Sequence, residues 1–299
     1  MKKSRLILFS LLALFADKSF SQPFVDVVSF NCQTFSSTYK DNPKLGNKTD
    51  DYFLNFFLPK EFKNGNLLLI KLNSEMLNSS ISSDFSNTAK LYNVCIPIGF
   101  QFLSENKKWK TLVIGIPKIA SDLKEAVNKY DFQYGGIFLE NYVHSEKLKI
   151  KAGLYYNKEA FGNFFMPLVG IDWKASERLS FYGVMPSNYK AEYAFVKNKL
   201  YAGLNFKSLT RSFRLSKTQN FDYVRYNEMQ LKLFVDCFAY KKILIFGEIG
   251  YSIGKNPWQY TCSTNDETLR NLVYTPLKSC PVFNIGIAYR IRMDLEPQQ

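Results

Sequence analysis

The sequence predicts an all-β fold, a closed antiparallel transmembrane β-barrel of about 14 strands, within a range of about 12–16. Three observations support this prediction. Apolar and polar residues alternate with a period of two along many segments, and no long apolar run interrupts the chain after residue 22. The links between the predicted strands are short at one end and mostly long at the other.

Strict alternation indicates strands with one apolar and one polar face. In the segment 148–156 (LKIKAGLYY), Leu148, Ile150 and Leu154 fall on one face, and Lys149 and Lys151 fall on the other. The segments 200–207, 229–237 and 283–291 follow the same rule. About fourteen such segments lie between residues 24 and 292, each near the length that a tilted strand needs to cross a bilayer.

Composition favours a packed membrane protein over a disordered or helical one. Hydrophobic residues make up 46% of the 299 residues and aromatic residues 16%. Tyr and Phe are enriched in the interfacial girdles of membrane proteins. A spanning helix needs about 20 apolar residues, so a helical bundle is excluded for the mature chain. A soluble β-sandwich is the alternative fold.

The links between strands give the barrel its direction. Short, charged links are typical of periplasmic turns, and longer links are typical of outer loops. The predicted short links are 59–66, 104–108, 144–147, 174–177, 197–198 and 241–242. The predicted long links are 40–49, 77–90, 120–129, 212–225 and 253–281, while 157–162 and 186–187 are short exceptions on the same side.

The first 21 residues have the pattern of an export signal. Lys2, Lys3 and Arg5 precede the apolar run 6–16, and Ser19 and Ser21 stand at the −3 and −1 positions of a cut. This order of basic, apolar and small residues predicts a signal peptide. We therefore divide the chain into a signal peptide, residues 1–21, and an outer-membrane barrel domain, residues 22–299.

If the apolar face of each strand meets lipid, the other face lines the lumen. The predicted lumen-lining residues, which are candidates for a pore lining, are Lys149, Lys151, Asp172, Lys190, Glu192, Lys207, Lys232, Asp236, Glu248 and Arg290. Six bases and four acids would favour anions in a water-filled pore. Ion-pair networks that fill the lumen without conduction are the equal alternative.

The five Cys residues allow one bridge. Export places the chain in an oxidising compartment, where disulfides persist. Cys262 and Cys280 bracket the last long link, so we expect this pair to form a disulfide. The remaining three Cys residues are expected to be small buried hydrophobes.

Signals for catalysis or metal binding are weak. His144 is the only histidine and falls in a predicted periplasmic turn, where a solvated side chain is the simplest interpretation. Asp50 and Asp51 are interpreted as loop acids. No His/Cys/Asp cluster has metal-ligand spacing, so we expect no catalytic residue, no metal and no cofactor.

The net charge of +13 bears on partners. Many lysines fall at the predicted turns, where contact with anionic headgroups is the simplest account. The expected partners are therefore outer-membrane lipids, lipopolysaccharide and small solutes. Nucleic acid is not expected, and the oligomeric state is left open.

Two pairs of short motifs resemble a known family. The segments 166–174 (MPLVGIDWK) and 179–186 (LSFYGVMP) match a Pro-x-x-Gly-x-Asp/Asn-Trp/Tyr strand followed by a strand that ends in a proline turn. The segments 95–99 (CIPIG) and 115–117 (GIP) are similar to the family's amino-terminal half. The family is an uncharacterised group of Gram-negative outer-membrane β-barrel proteins of unknown function. The resemblance implies a fold and a location but no catalytic residues, and this chain departs from the family in its last, Cys-containing loop.

Two functions fit these observations. The first is a passive channel or transporter for small solutes, porin-like, through a barrel with no room for an amino-terminal plug domain. The alternative is a surface structural or interaction barrel that displays extracellular loops and does not conduct. An enzyme is not expected.

Export predicts a defined new amino terminus. We expect cleavage between Ser21 and Gln22, because small residues at −3 and −1 are what signal cleavage requires. Amino-terminal sequencing of the protein extracted from membranes should begin at Gln22, and a sequence that begins at Met1 would contradict the prediction.

Overall fold

We describe residues 23–40, 43–44, 46–82, 88–216, 223–252, 259–261 and 277–293 of a computed structural model. The predicted signal peptide and the cleavage site lie outside these residues. No helix in the described ranges is long and apolar enough to span a membrane.

One antiparallel sheet forms the whole described structure. Its strands are β1 (Phe24–Thr38), β2 (Gly46–Glu61), β3 (Leu67–Ser82), β4 (Thr88–Cys95), β5 (Ile98–Leu103), β6 (Trp109–Ser121), β7 (Phe132–Ser145), β8 (Leu148–Glu159), β9 (Gly162–Lys174), β10 (Leu179–Met185), β11 (Asn188–Val196), β12 (Leu200–Arg214), β13 (Tyr223–Tyr240), β14 (Ile243–Ser252), β15 (Gln259–Thr261) and β16 (Pro281–Arg292).

The sheet closes on itself as a barrel of 14 wall positions, which confirms the predicted fold. β4 and β5 share one position, because both pair with β3 and with β6. The short strand β15 pairs with the first residues of β13, beyond the end of β14, and so shares the wall position of β14. The last strand closes on the first, from Phe24 opposite Arg292 to Phe35 opposite Val282.

Several strands are longer than the sequence predicts, and they shorten the outer links. β3 continues to Ser82, and β4 already begins at Thr88, so the predicted loop 77–90 is largely a hairpin. β12 and β13 likewise take up both ends of the predicted loop 212–225. Ser and Asn residues favour turns. In β3, the ladder with β2 continues through the Ser and Asn residues. A strand that is already in register forms each further hydrogen bond at little extra cost in conformational entropy.

The strand β13 shows how the two faces differ. Phe234 and Asp236 point into the barrel and are 1% and 2% exposed. Leu233 and Val235, which alternate with them, point outward and are 61% and 50% exposed. Large apolar residues are exposed in this way all around the wall, which is the reverse of a soluble protein and the requirement of a surface in hydrocarbon.

Aromatic side chains mark the short-turn rim of the barrel's outer surface. Trp109 lies at the start of β6 against Tyr142, with ring centroids 4.8 Å apart. Trp173 stacks on Phe181 near the end of β9, with a centroid distance of 5.4 Å. Rings at this level are typical of the boundary between lipid and water.

The assignment of the lipid face and the inner face can be tested by placing a charge on the lipid face. We expect Leu233→Arg to destabilise the barrel by about 2–4 kcal/mol, because it places a charge on the lipid face of β13. Lys232→Arg, one residue away on the inner face, keeps its charge inside and is the matched control. Urea unfolding in liposomes measures both variants, and equal stabilities would contradict the assignment of faces.

Candidate functional site: the closed lumen

The outer end of β12 lies across the mouth of the barrel. We call residues 211–216 the lid segment. Its hydrogen bonds reach β6 and the link that follows, on the far side of the wall: the Asp122 N–H donates to the Arg214 carbonyl (3.1 Å), and the Ser216 hydroxyl donates to Asp122 Oδ2 (3.0 Å). The Gln133 amide of β7 donates to the Ser212 carbonyl (3.0 Å), and the Ser212 hydroxyl donates to Glu159 of β8 (2.6 Å).

An apolar cluster lies under and beside the lid segment, and we call it the mouth cluster. Its members come from opposite sides of the wall, so they meet in the middle of the opening. They are Tyr39, Leu77, Leu91, Ala120, Phe213, Leu215, Val224, Tyr226 and Leu277. Phe213, Leu77 and Leu91 are completely buried. Water is therefore excluded from this level of the lumen.

Below the cluster, one arginine crosses the lumen. Arg211 donates to Asp51 of β2 (2.7 Å), to Glu75 of β3 and to Glu228 of β13 (3.2 Å). All four side chains are at most 7% exposed. One guanidinium thus joins two strands of the far wall to β13, the immediate neighbour of its own strand.

A second network fills the opposite end of the lumen, at the level of the short turns. Arg290 of β16 donates to Asp26 (2.6 and 2.9 Å) and to Asp236, and it lies 3.6 Å from the ring centroid of Phe24. Arg292 donates to Glu192 of β11 (2.7 Å), which is separated from β16 by β14, β13 and β12. Ion pairs between strands therefore fill this end of the lumen as well.

The ten residues predicted to line the lumen lie on the inner face. Each of the four acids has a basic partner: Asp172 pairs with Lys151 (2.6 Å), Glu192 with Arg292 (2.7 Å), Asp236 with Arg290, and Glu248 with Lys232. Lys149 is half-buried beside the Lys151 pair. Ion pairing is what the filled-lumen alternative requires.

Three inner-face lysines lie over aromatic rings instead of carboxylates. The Lys207 ammonium is 4.9 Å from the ring centroid of Phe53, and that of Lys190 is 4.6 Å from Phe234. The third, Lys71, was absent from the predicted set and is 4.8 Å from Phe57. No carboxylate of the described residues forms an ion pair with any of the three. Cation–π contact stabilises a charge without neutralising it.

Other lumen residues were also missed, for a simple reason. Arg211 and Arg292 lie on the inner face of β12 and β16, two residues beyond Leu209 and Arg290, so carrying the alternation through to the end of each strand would have found them. Asp51 was interpreted as a loop acid at the start of its predicted strand. It lies on the inner face of β2, completely buried, because β2 begins at Gly46 and places Asp51 well inside the strand.

The candidate residues for catalysis and metal binding do not form a site in the structure. His144 is exposed near the end of β7, where its ring centroid lies 6.3 Å from that of Tyr142. In the part of the chain that the structure describes, no group of His, Cys, Asp and Glu residues is arranged to hold a metal ion. Cys280 is buried beside Phe35 and Val282, but Cys262 lies outside the described residues, so the bridge between them stays a prediction.

The contribution of the Arg211 ion pairs to stability can be tested by substitution. We expect Arg211→Ala to lower the free energy of unfolding by about 3–5 kcal/mol, because it leaves three buried carboxylates without a cation. Arg211→Lys keeps the charge and should restore part of the loss. Lys197→Ala removes one side of an exposed pair with Glu177 (3.2 Å) and should leave the stability unchanged. A loss for Arg211→Ala no larger than for Lys197→Ala would contradict the prediction.

Comparison with solved structures finds barrels of membrane proteins. An outer-membrane channel from Pseudomonas putida F1 is 9% identical with a TM-score of 0.46, over 92% of this chain and 100% of that one. The translocator domain of the autotransporter NalP from Neisseria meningitidis is 13% identical with a TM-score of 0.39, over 97% and 95%. The NanC porin is 7% identical with a TM-score of 0.40, over 88% and 100%. At this level of similarity, none of them carries an argument about function.

Comparison with curated proteins finds no match. A family model does match: "Domain of unknown function (DUF6268)", over residues 71–290. The match covers the wall from β3 to β16 and with it the motifs at 95–99, 115–117, 166–174 and 179–186. The chain therefore belongs to the DUF6268 family, whose function is unknown, as the sequence resemblance to an uncharacterised barrel family implies.

Proposed function

We propose that this protein is an exported outer-membrane barrel whose lumen is closed in the resting state, and that it does not act as an open passive channel. The observation that carries the proposal is the lid segment, which is hydrogen-bonded across the mouth to β7, to β8 and to the link after β6, and is packed within the mouth cluster. The outer hairpins then form the surface that the barrel displays, among lipopolysaccharide and lipids of the outer membrane.

The ion pairs support a lumen that stays filled. Buried charges are tolerated when each has a partner, and separating the partners leaves uncompensated charge in a low dielectric. Widening the lumen at the level of Arg211 would break contacts to two strands of the far wall at once. An anion pore based on Lys151 and Lys232 is not supported, because Asp172 and Glu248 neutralise these two lysines.

A second candidate is a gated channel for small solutes. Lys71, Lys190 and Lys207 keep an unneutralised charge on the inner face, which would favour anions once the lid segment moved. This form retains the channel expected from the sequence and adds a closed state to it.

Conductance separates these functions. We expect the wild-type protein to be silent in planar bilayers, and Phe213→Ala with Leu215→Ala to give current steps, because the double change removes most of the apolar contact between the lid segment and the mouth cluster. Leu231→Ala with Leu233→Ala, on the lipid face of β13, is the matched control and should remain silent.

Selectivity then distinguishes a gated channel from a leak. Lys207→Glu in the opened variant should reduce anion preference if the lumen lysines select the ion. Steady ohmic steps from folded, heat-modifiable wild-type protein would contradict the closed lumen. An opened variant that stays silent would contradict the gated channel and leave the non-conducting barrel.

A further inference from the structure

We propose that an apolar patch on the inner wall of the lumen binds a single-chain anionic amphiphile of fatty-acid chemistry, and that this molecule enters from the bilayer through the wall at β4–β5. The proposal goes beyond the closed barrel proposed above. It rests on three observations that are independent of the lid: a weak line in the wall, an apolar inner surface beside it, and an unpaired lysine at the same depth.

Two prolines weaken the hydrogen bonding of the wall along the β4–β5 position. The Lys71 N–H donates to the Pro97 carbonyl (2.9 Å), and the Ile96 N–H donates to the Pro117 carbonyl (3.0 Å). In an antiparallel ladder such residue pairs exchange two hydrogen bonds, but proline has no N–H to return. Each border of the β4–β5 position, one with β3 and the other with β6, therefore lacks a bond at the same level. We call this place the proline seam.

The proline seam lies within the apolar belt of the outer surface. Ile96, Ile98 and Val113 are 45%, 50% and 45% exposed there. The carbonyls of Lys71 and Ile96 lack their ladder donors beside lipid, where an unsatisfied backbone group is costly. Of the pairings that hold this part of the wall, those at the seam are the easiest to part.

Behind the seam, the inner face carries an apolar patch that lies between two buried ion pairs, Lys118–Glu159 and Lys151–Asp172. The register places one set of residues on the inner surface of β6 to β9: Leu112, Ile114, Ile116, Ile137, Leu139, Tyr155, Met166 and Leu168. Most of them are half-buried although they point into a closed barrel. A space large enough for a solvent molecule therefore lies against these side chains. A space with such an apolar lining suits an apolar ligand.

The wall from β11 to β16 carries charged side chains on its inner face. They are Lys190, Glu192, Lys232, Asp236 and Glu248, and most of these are ion-paired. The lumen thus offers both an apolar patch and charged side chains, which suits a molecule with an apolar chain and a charged head.

Lys71 supplies the charge for that head. It is an inner-face residue of β3 at the level of Pro97, its side chain is exposed, and its one described contact is with the ring of Phe57. An ammonium group beside apolar surface, with no carboxylate partner, favours an anion. The seam borders on the bilayer, as the exposed apolar residues beside it indicate, so the bilayer is the source.

Binding is tested first, with the full barrel in phosphatidylcholine nanodiscs and laurate as the probe. We expect native mass spectrometry of released barrels to show bound laurate at pH 8. Lys71→Gln should weaken laurate binding by about tenfold through loss of the charged contact, and leave dodecanol binding unchanged. Lys207→Gln, an unpaired lysine on β12 that already lies over Phe53, is the matched control.

Entry through the seam is tested by exchange. Pro97→Val with Pro117→Val returns both missing donors, so replacement of bound laurate by deuterated laurate should slow by about tenfold or more. Pro167→Val, which removes a lipid-facing proline of β9 away from the seam, should not change the rate.

The outcomes of these two experiments separate the binding site from the entry route. Absence of bound laurate on folded wild-type barrels, or wild-type binding by Lys71→Gln, overturns the site. Equal exchange with and without the two prolines overturns the route. Silent bilayers with no bound laurate leave the closed barrel standing without this inference, whereas conducting wild-type barrels that bind laurate leave the site and refute the closed barrel.

Discussion

The pairing of every backbone polar group in a medium without water is the constraint on which this structure depends. It requires the sheet to close, with β16 returning to β1, and closure divides all side chains between lipid and lumen. The alternation on β13, with Leu233 outside and Phe234 inside, is a direct consequence. Pro97 and Pro117 are informative because they breach the same constraint at one depth of one wall position.

Closure creates an interior that must be either wet or filled. This chain fills much of it with charges that neutralise one another, and it uses arginines where the lumen has to be spanned. Arg211 binds carboxylates of β2, β3 and β13, and Arg292 reaches Glu192 of β11. A guanidinium suits this role because its several donors lie in one plane and remain charged in a buried site. The lid segment and the apolar residues of the mouth cluster complete the closure.

Much of the fold could be predicted from single segments, because the alternation of inward and outward residues is a local property of each strand. The alternation at 148–156 gives both faces of β8. The inner-face placement of Lys151, Asp172 and Glu248 follows from the same parity. The predicted strand ends were less accurate, and Asp51 was lost with them, since polar turn-forming residues continue the ladder when a neighbouring strand is already in register.

The sequence by itself determined the class of fold, an approximate number of strands and most of the residues that point inward, because each depends on a period of two within about ten residues. Only the tertiary structure decided what those inward residues do. Whether Lys151 lines a pore or binds Asp172, and whether residues 211–216 form a loop or a lid, depends on side chains that closure brings together from distant strands. Arg211 and Asp51 lie far apart in the chain, and no local pattern relates residues whose contact exists only across a closed lumen.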